Sequence, residues 1–506
     1  MTDWRVANLL IRIDGHLAGT LQQQLYREIR RAILAGVLTP GTRLPSSRAL
    51  ADDAGVSRTT VVLAMEQLTA EGYLAARRGA GTFVADDLPD DLPSVPRRGR
   101  GKRVAGRRPP ASVPALSPRG AALAATPQGA QRLGGAPRAF RIGTPGLDLF
   151  PARLWQRLVN RRCRATAIAD LDYGDPAGFG PLREAIAAHV QAARGTTCGA
   201  DQVVIVAGAQ LGLDLVCRAL LDPGEQAWLE EPGYPGARSA LVGAGARIVP
   251  VQVDGEGLDV EAGVRRAGRA RLAYITPSHQ YPLGVPMSLR RRLALLRWAE
   301  AANAWVVEDD YDSEFRYGTR AVPCLHGLDN RGRVIYIGSF SKTLFPALRL
   351  GFLIVPPRIH GALVDARRAA DQHPPVLDQG VLADFIFEGH FTRHLRRMRT
   401  AYRERLGAMA AALERYCGGA LRLRSVHTGL HAIADLDGAS ASRVAREAAA
   451  RGVEVTPVAA YCANPARAAN SLVVGFAAVP PDALREGARR LAAAIEATRR
   501  LPPRRA

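Results

Sequence analysis

Residues 338–351, GSFSKTLFPALRLG, decide how the larger part of this sequence is interpreted. They follow the apolar run VIYIG and contain Lys342. The 506-residue chain has 68 Lys and Arg, yet only Lys102 and Lys342 are lysines. A sequence that uses Arg at nearly every basic position keeps Lys where Arg cannot serve, because a lysine amine can lose its proton and condense with a carbonyl. Lys102 lies in a basic run, so Lys342 is the candidate for chemistry.

The segment around Lys342 belongs to a long alternation of apolar runs and helix-length segments between about residues 140 and 500. The runs are VVIVA (203–207), AWLEE (227–231), LAYIT (272–276), AWVVED (304–309), VIYIG (334–338) and FLIV (352–355). This pattern predicts an α/β domain with a largely parallel sheet. Ligands of such sheets bind beyond the carboxyl ends of the strands. The residues directly after each run are therefore the candidates for function.

Four strand ends carry residues that suit one ligand. They are Gly208, Ala209 and Gln210 after the first run, Tyr234 in a Pro-Gly-Tyr-Pro turn after the second, the acidic run 308–312 after the fourth, and Ser339, Ser341, Lys342 and Arg349 after the fifth. Small residues that open a helix let backbone N–H groups approach an anion such as phosphate. A tyrosine in a rigid turn can cover a planar ligand. A buried acidic run requires a cation opposite it.

Pyridoxal phosphate is a single ligand that accounts for all four strand ends. Lys342 would hold it as an imine, Asp309 would keep the pyridine nitrogen protonated, and Tyr311 would hydrogen-bond the ring hydroxyl. The 208–210 turn, Ser339, Ser341 and Arg349 would hold the phosphate. The alternative is that Lys342 is a structural cation paired with the acidic run. The scarcity of lysine and the four matching strand ends favour the cofactor.

Residues 20–85 predict a small separate unit. TLQQQLYREIRRAILAG has apolar residues at helical spacing, SSRALADDAG predicts a second helix ending at Gly55, and a third begins after Ser57, whose hydroxyl can cap it. YLAARRGAGTFVA predicts a short hairpin. Three helices followed by a basic hairpin are typical of a winged helix-turn-helix, whose third helix presents its first residues to the DNA major groove.

The sequence of this unit, LYREIRRAILAGVLTPGTRLPSSRALADDAGVSRTTVVLAMEQLTAEGYLAARRGAGTFV (25–84), resembles the GntR family of bacterial transcription regulators. The resemblance implies binding to double-stranded DNA. The residues that it assigns to DNA contact are Arg48, Ser57, Arg58, Thr59 and Thr60 and, at the hairpin tip, Arg78 and Gly79.

The larger part of the chain resembles the fold-type I aminotransferases through LDYGDPAGFGPLREAIAAHV, YPLG, EDDYDSEF and SFSKTLFPALRLGF. Combined with the head, the strings SHQYPLG, EDDYDSEFRY and GSFSKTLFPALRLG are similar to those of the MocR subfamily of GntR regulators. This resemblance implies a cytosolic, head-to-tail homodimer in which pyridoxal phosphate in the body controls how two heads sit on DNA.

These patterns predict three parts of the chain. Residues 1–85 are the DNA-binding head, 86–135 a linker rich in Pro, Arg and Ala, and 136–506 the aminotransferase-like body. The linker contains eight prolines, and seven basic residues without an acid between 97 and 108. The net charge of +21 favours a polyanionic partner without proving one. No run reaches 18 apolar residues, so no membrane segment is expected.

The body departs from the aminotransferase pattern at AANSLVVGF (468–476). Aminotransferases usually bind the substrate carboxylate with an Arg just before a late strand, but Asn470 and Ser471 stand there and Arg467 is offset. This departure disfavours an amino-acid transaminase and leaves pyridoxal phosphate itself as a possible signal. His390 and His394 share a helix face, but the arginines around them oppose a metal ion and no metal is assigned.

The leading hypothesis is a transcription regulator that binds pyridoxal phosphate at Lys342 and senses either the cofactor or an amine or amino acid that displaces the lysine. The alternative is a pyridoxal-phosphate-dependent aminotransferase that carries a DNA-binding head, which Lys342, Asp309 and Tyr311 would serve equally well. A third hypothesis makes the body a dimerisation scaffold without a cofactor. The lysine and the aspartate argue against that scaffold.

Overall fold

A computed structural model describes residues 19–77, 80–88, 116–126, 135–165, 172–318 and 323–500. The chain divides into two compact units, Met1–Ser112 and Val113–Ala506. Across the described ranges, no helix combines the length and the apolar character that a membrane span requires.

The first unit contains the three helices and the hairpin that the sequence predicts. They are α1 (Leu21–Leu34), α2 (Ser47–Ala54), α3 (Arg58–Ala70), β1 (Leu74–Arg77) and β2 (Gly81–Val84). The hydroxyl of Ser46 accepts from Ala49 N and caps α2, and that of Ser57 accepts from Thr60 N and caps α3. Apolar residues of all three helices and both strands form one buried core. A winged helix-turn-helix results, as expected.

The second unit begins with alternating strands and helices. They are α4 (Pro118–Ala125), α5 (Ala152–Ala165), α6 (Gly180–Arg194), β3 (Val203–Val206), α7 (Ala209–Leu220), β4 (Gln226–Glu231), α8 (Pro235–Ala244), β5 (Arg247–Asp254), β6 (Gly257–Leu258), α9 (Val260–Ala267), β7 (Leu272–Ile275), α10 (Leu289–Ala301), β8 (Trp305–Asp310), α11 (Leu325–Leu328), β9 (Val334–Ser339) and β10 (Gly351–Ile354). All six apolar runs of the sequence form strands.

Eight strands of this unit form one sheet in the order β3-β10-β9-β8-β7-β4-β5-β6. Strands β5, β4, β7, β8 and β9 are mutually parallel, whereas β10 is antiparallel to both β9 and β3. Strand β3 therefore runs in the direction of β9. The carboxyl ends of the four strands that carry candidate residues, β3, β4, β8 and β9, therefore lie at one edge of the sheet.

The rest of the unit forms a helical layer and a smaller sheet. Its elements are α12 (Pro357–Asp371), α13 (Val376–Phe387), α14 (His390–Cys417), β11 (Leu421–Leu423), β12 (His431–Leu436), α15 (Ala441–Ala450), β13 (Thr456–Pro457), β14 (Ser471–Gly475) and α16 (Pro481–Arg500). The four strands form an antiparallel sheet in the order β11-β12-β14-β13. This arrangement and the large sheet make the unit an α/β fold of the aminotransferase type.

Part of the range predicted as a linker forms a helix. Ser117 Oγ accepts from Gly120 N and caps α4, and Pro118 occupies its first turn. Helix α4 packs against α8, where Leu123 lies beside Gly243. The Ala-rich composition read as linker is also helix-forming, and this contact gives the helix a surface to pack on. The domain boundaries themselves stay a prediction.

Candidate functional site

A cavity of about 900 Å³ lies at the carboxyl edge of the large sheet. Its lining includes nine of the ten residues predicted to bind the cofactor: Ala209, Gln210, Tyr234, Asp309, Tyr311, Ser339, Ser341, Lys342 and Arg349. The tenth, Gly208, packs against the Arg349 guanidinium, which belongs to this lining. The structure therefore brings together all ten residues, although their roles toward a ligand stay predictions.

Strand β8 positions the acidic residues by simple alternation. Asp309 points into the cavity, whereas its neighbours Glu308 and Asp310 point to the other face. The Glu308 carboxylate accepts from the backbone N–H groups of Leu325 (2.8 Å) and His326 (2.7 Å). The acidic run thus has two faces with different partners.

Asp310 has a cation of its own. Its Oδ2 lies 2.9 Å from Arg194 Nε and accepts from the Tyr336 hydroxyl at 2.7 Å. This ion pair holds the pKa of Asp310 below its ordinary value despite burial. The expectation that a cation faces the acidic run is thus met, at Asp310, by an arginine of the protein.

Asp309 makes no ion pair with any described residue, although the charge of Lys342 acts on it across the cavity. Its Oδ2 accepts from the Tyr274 hydroxyl at 2.7 Å, whereas its buried Oδ1 has no hydrogen-bond partner among the described residues. Burial raises the pKa of Asp309 from 3.8 to about 7. A protonated ring nitrogen would give this carboxylate the missing partner, which is the role predicted for it.

Lys342 lies just after β9 and is partly accessible because it faces the cavity. Its Nζ donates to the carbonyl oxygen of Gly143 at 2.6 Å. Burial of the amine lowers the pKa of Lys342, while Asp312 and Asp309 raise it in part. A lysine that loses its proton more readily is a better nucleophile toward an aldehyde.

The predicted phosphate end lies where β3 meets α7. Gly208 has φ 89° and N-caps α7, and a Cβ at this position would lie 3.0 Å from Arg349 Nη1. Only glycine leaves this space for the guanidinium. Arg349 has φ 53°, and its Nη2 donates to Ala207 O at 2.7 Å. The amino end of a twelve-residue helix and a guanidinium therefore meet at one place, which suits an anion.

Tyr234 and Gln210 connect this end to the middle of the cavity. Tyr234 precedes α8, and its hydroxyl donates to Gln210 Oε1 at 3.2 Å. Gln210 Nε2 donates to Gly236 O at 2.9 Å, which fixes the amide. The Tyr234 ring lies beside the cavity as the rigid turn predicted, at 6.5 Å from the ring of Tyr274.

The sequence analysis missed a polar cluster that borders the cavity. The Tyr311 hydroxyl lies 3.0 Å from His279 Nδ1 and donates to His279 O at 2.9 Å. His279 Nδ1 also lies 3.0 Å from Asp312 Oδ1, and His431 Nε2 donates to Pro282 O. His279 and Asp312 belong to the quoted strings SHQYPLG and EDDYDSEF, which were the available signal.

Three of these side chains could approach a metal ion, because ligand atoms of His279, Asp312 and His431 lie within 4.8 Å of one another. Hydrogen bonds within the cluster already occupy His279 Nδ1 and Asp312.

His390 and His394, the two histidines that share a helix face in the sequence, bond to different partners. His394 Nε2 donates to Thr343 O, and His390 Nε2 bonds to Glu388.

The described residues fit pyridoxal phosphate. The unpartnered oxygen of Asp309 matches a ring cation, Lys342 matches an aldehyde, and the Gly208–Arg349 contact leaves a cradle for a phosphate. When bound, the cofactor would supply an electron sink. The side chains around it would orient the ring, hold the charge at its nitrogen and keep the amine of Lys342 reactive.

The residues at the expected carboxylate-binding position serve the fold instead. Asn470 Oδ1 accepts from Ala441 N, and Ser471 Oγ donates to Asp435 at 2.6 Å. Strand β14 then places Val473 in an apolar cluster with Ile142 and Tyr281. The side chain of Arg467 lies outside the described residues.

In the head, the predicted DNA contacts lie around the start of α3. Ser57, Arg58 and Thr59 are exposed, and Thr60 is half-buried. Arg48 on α2 is exposed as well, and Arg58 Nε donates to Ser47 Oγ at 3.4 Å. Five of the seven predicted residues are thus close together in the fold. Arg78 and Gly79, predicted at the hairpin tip, lie outside the described residues.

Comparisons with known proteins agree with this architecture. Residues 21–84 match the family of bacterial regulatory proteins of the gntR type, and residues 160–491 match the class I and II aminotransferases. The chain is 40% identical to the probable rhizopine catabolism regulatory protein MocR of Rhizobium meliloti, over 96% of each chain. It is 32% identical to the pyridoxine biosynthesis transcriptional regulator PdxR of Corynebacterium glutamicum, over 95% of this chain and 97% of that protein.

Among solved structures, LysN, the α-aminoadipate aminotransferase of Thermus thermophilus, superposes with a TM-score of 0.65 at 32% identity. The match covers 71% of this chain and 92% of LysN, whose crystals contain N-(5'-phosphopyridoxyl)-L-leucine. The fold and site therefore define a fold-type I aminotransferase-like body joined to a winged helix-turn-helix head. The chain belongs to the MocR-type GntR transcription regulators. The predicted cofactor, pyridoxal phosphate, is confirmed as that of the matched aminotransferase fold.

Proposed function

We propose that this regulator holds pyridoxal phosphate through an imine at Lys342 and that it senses the cofactor itself or an amine that displaces Lys342. The observation that carries the proposal is that one cavity is lined both by the amine of Lys342 and by Asp309, whose buried Oδ1 has no hydrogen-bond partner among the described residues. The amine condenses with the aldehyde and releases water, while Asp309 holds the ring nitrogen proton. Tyr311 lies at the same wall and orients the ring hydroxyl.

The experiment is the absorbance of the purified protein after incubation with pyridoxal phosphate. We expect a visible band in the wild type and its loss in Lys342→Ala. Lys102→Ala is the matched control, because it removes the only other lysine of the chain and should retain the band. A colourless wild-type protein, or a band that survives in Lys342→Ala, would contradict the proposal.

The head is proposed to bind double-stranded DNA through the start of α3 and Arg48. An operator is first selected from random sequences by the purified protein. Arg58→Ala should then weaken operator binding by about 1 to 3 kcal/mol if it contacts a base edge. Arg31→Ala, an exposed arginine on α1, is the control and should change binding by less than about 0.5 kcal/mol. Equal effects of the two variants would exclude a base contact at Arg58.

Coupling between body and head requires that the ligand bind one arrangement of the heads better than another. We expect the operator affinity of the wild type to change when the cofactor is added, and that of Lys342→Ala to stay constant. An aminotransferase carrying a head would instead show steady turnover of an amino donor with an oxo acid. Asn470 and Ser471 stand where an aminotransferase usually has its carboxylate-binding Arg and form hydrogen bonds within the fold, which supports the regulator.

A further inference from the structure

The first half of helix α14 carries a run of arginines. Between residues 390 and 403 the sequence has five arginines and no aspartate or glutamate. Phe391, Leu395 and Met398 are buried in the apolar core of the body and define the inner side of this half. The arginines are exposed on its outer side, which we call the α14 arginine face: Arg393, Arg396, Arg397, Arg399 and Arg403.

The positive charge of this face is not balanced within the fold. The side chains of Arg396, Arg397 and Arg403 form no hydrogen bond and no ion pair with any described residue. Arg393 and Arg399 each donate to a backbone carbonyl oxygen, which carries no net charge. The face therefore presents its cations to solvent.

Charges of the same sign also stand one helical turn apart along this face. Arg393 precedes Arg397 by four residues, and Arg399 precedes Arg403 by four. Like charges at this spacing destabilise a helix. Glu404 is exposed directly after the run, but it makes no ion pair with any described residue. A helix face that repels itself suits a partner that brings negative charge.

Helix α16 shows the opposite arrangement in the same unit. Its exposed arginines Arg485, Arg489 and Arg490 each pair with an acid three or four residues earlier, Asp482 for the first and Glu486 for the other two. The arginines of α16 are therefore balanced within their own helix. Unbalanced arginines are thus not a general consequence of the arginine-rich composition.

We propose that the α14 arginine face binds the phosphate backbone of the double-stranded DNA that flanks the operator. A duplex carries one negative charge per about 1.7 Å of its axis. The segment from Arg393 to Arg403 is about 15 Å long, so it can face several phosphates. Such contacts carry no sequence information, and the affinity that they add falls as salt rises. The body would then hold DNA in addition to the head, independently of Lys342 and the cofactor.

The experiment measures the affinity of the full chain for two duplexes over a series of salt concentrations. The short duplex contains only the selected operator, and the long duplex extends it on both sides by several helical turns of random sequence. The test variant replaces three arginines of the α14 arginine face: Arg396→Gln, Arg397→Gln and Arg403→Gln. The matched control removes the same charge from α16: Arg485→Gln, Arg489→Gln and Arg490→Gln. A third variant places lysine at the three α14 positions and keeps the charge.

We expect the wild type to bind the long duplex more tightly than the short one. The α14 glutamine variant should bind the long duplex about tenfold or more weakly than the wild type, with less than about a twofold change on the short duplex. Its slope of log affinity against log salt on the long duplex should become shallower by about 2 to 3, because each lost phosphate contact contributes about 0.9. The lysine variant and the α16 variant should stay close to the wild type.

Thermal unfolding checks that each variant is folded, and the single change Arg397→Gln should still lower the slope by about 0.9 if the triple variant is unstable. Equal losses in the α14 and α16 variants would assign the effect to net charge and overturn the proposal. A wild type that binds both duplexes equally, or a lysine variant that fails like the glutamine variant, would overturn it as well. None of these results depends on the visible band at Lys342, so failure of the proposed cofactor site is separate.

Discussion

The two faces of strand β8 carry the same chemical group in different surroundings. Asp310 is buried against Arg194 and Tyr336, whereas Asp309, one residue earlier, is equally buried but has no ion-pair partner among the described residues. One oxygen of each carboxylate lacks a hydrogen-bond partner among the described residues, so the two differ in the ion pair: the charge of Asp310 is balanced by Arg194, whereas the role that we propose for Asp309 is to face the cation of a ligand. The difference teaches that a buried acid indicates function only when its partners have been accounted for.

The largest effect should come from breaking the ion pair on the Asp310 face of β8. Asp310→Asn removes one of the two carboxylates that pair with the buried Arg194 guanidinium, the other being Glu314, and we expect the body to lose about 3 kcal/mol of unfolding free energy. Equilibrium denaturation followed by tryptophan fluorescence measures this loss. Asp309→Asn, on the other face, is the control and should be neutral or stabilising without cofactor, because it removes an uncompensated carboxylate. Equal destabilisation by both variants would contradict the comparison.

Asp309→Asn should have its main effect on the affinity for the cofactor. A charge-assisted hydrogen bond contributes about 1.5 to 3 kcal/mol, so the affinity for pyridoxal phosphate should fall by about tenfold to a hundredfold. Titration of the visible band measures this change. If Asp309→Asn bound the cofactor as well as the wild type, Asp309 would not be the partner of the ring nitrogen.

The two faces should also respond differently to pH. The pKa of Asp309 is raised in the folded, cofactor-free protein, so its contribution to stability is complete below its ordinary value of 3.8 and is lost as pH rises to about 7. Relative to Asp309→Asn, the wild type should therefore lose unfolding free energy as the pH rises through this window, by up to about 1.4 kcal/mol per pH unit. Denaturation curves at pH 5, 6, 7 and 8 test this slope. A difference that stays constant from pH 5 to 7 would contradict it.

The smallest effect should come from Tyr274→Phe. This change removes the one side-chain hydrogen bond that Asp309 receives from the described residues, worth about 1 kcal/mol, and leaves the ring in place. We expect a roughly fivefold weaker affinity for pyridoxal phosphate. Tyr336→Phe is the matched change at Asp310 and should leave cofactor affinity unchanged. An equal loss of affinity in the two variants would show that the faces are not distinct.

Much of the fold and of the candidate site could be predicted because the ends of buried strands can be recognised in the sequence. The six apolar runs mark the strands, and the residues that follow them converge at one edge of the sheet wherever the strands share a direction. The antiparallel placement of β10 could not be read in this way, because periodicity does not encode pairing partners.

The missed residues are those whose role depends on contacts across the fold. Tyr274 lies inside an apolar run, where a buried aromatic is ordinary, and only the parallel pairing of β7 with β8 places it beside Asp309. Gly143 approaches Lys342 from a segment 199 positions away. The helix α4 was missed because its stability depends on packing against α8.

The most direct test of the central claim uses the scarcity of lysine. The protein is incubated with pyridoxal phosphate, the imine is reduced with borohydride, and the tryptic peptides are identified by mass spectrometry. The account predicts a phosphopyridoxyl group on Lys342 and none on Lys102. An unmodified Lys342, or a label found equally on both lysines, would contradict it.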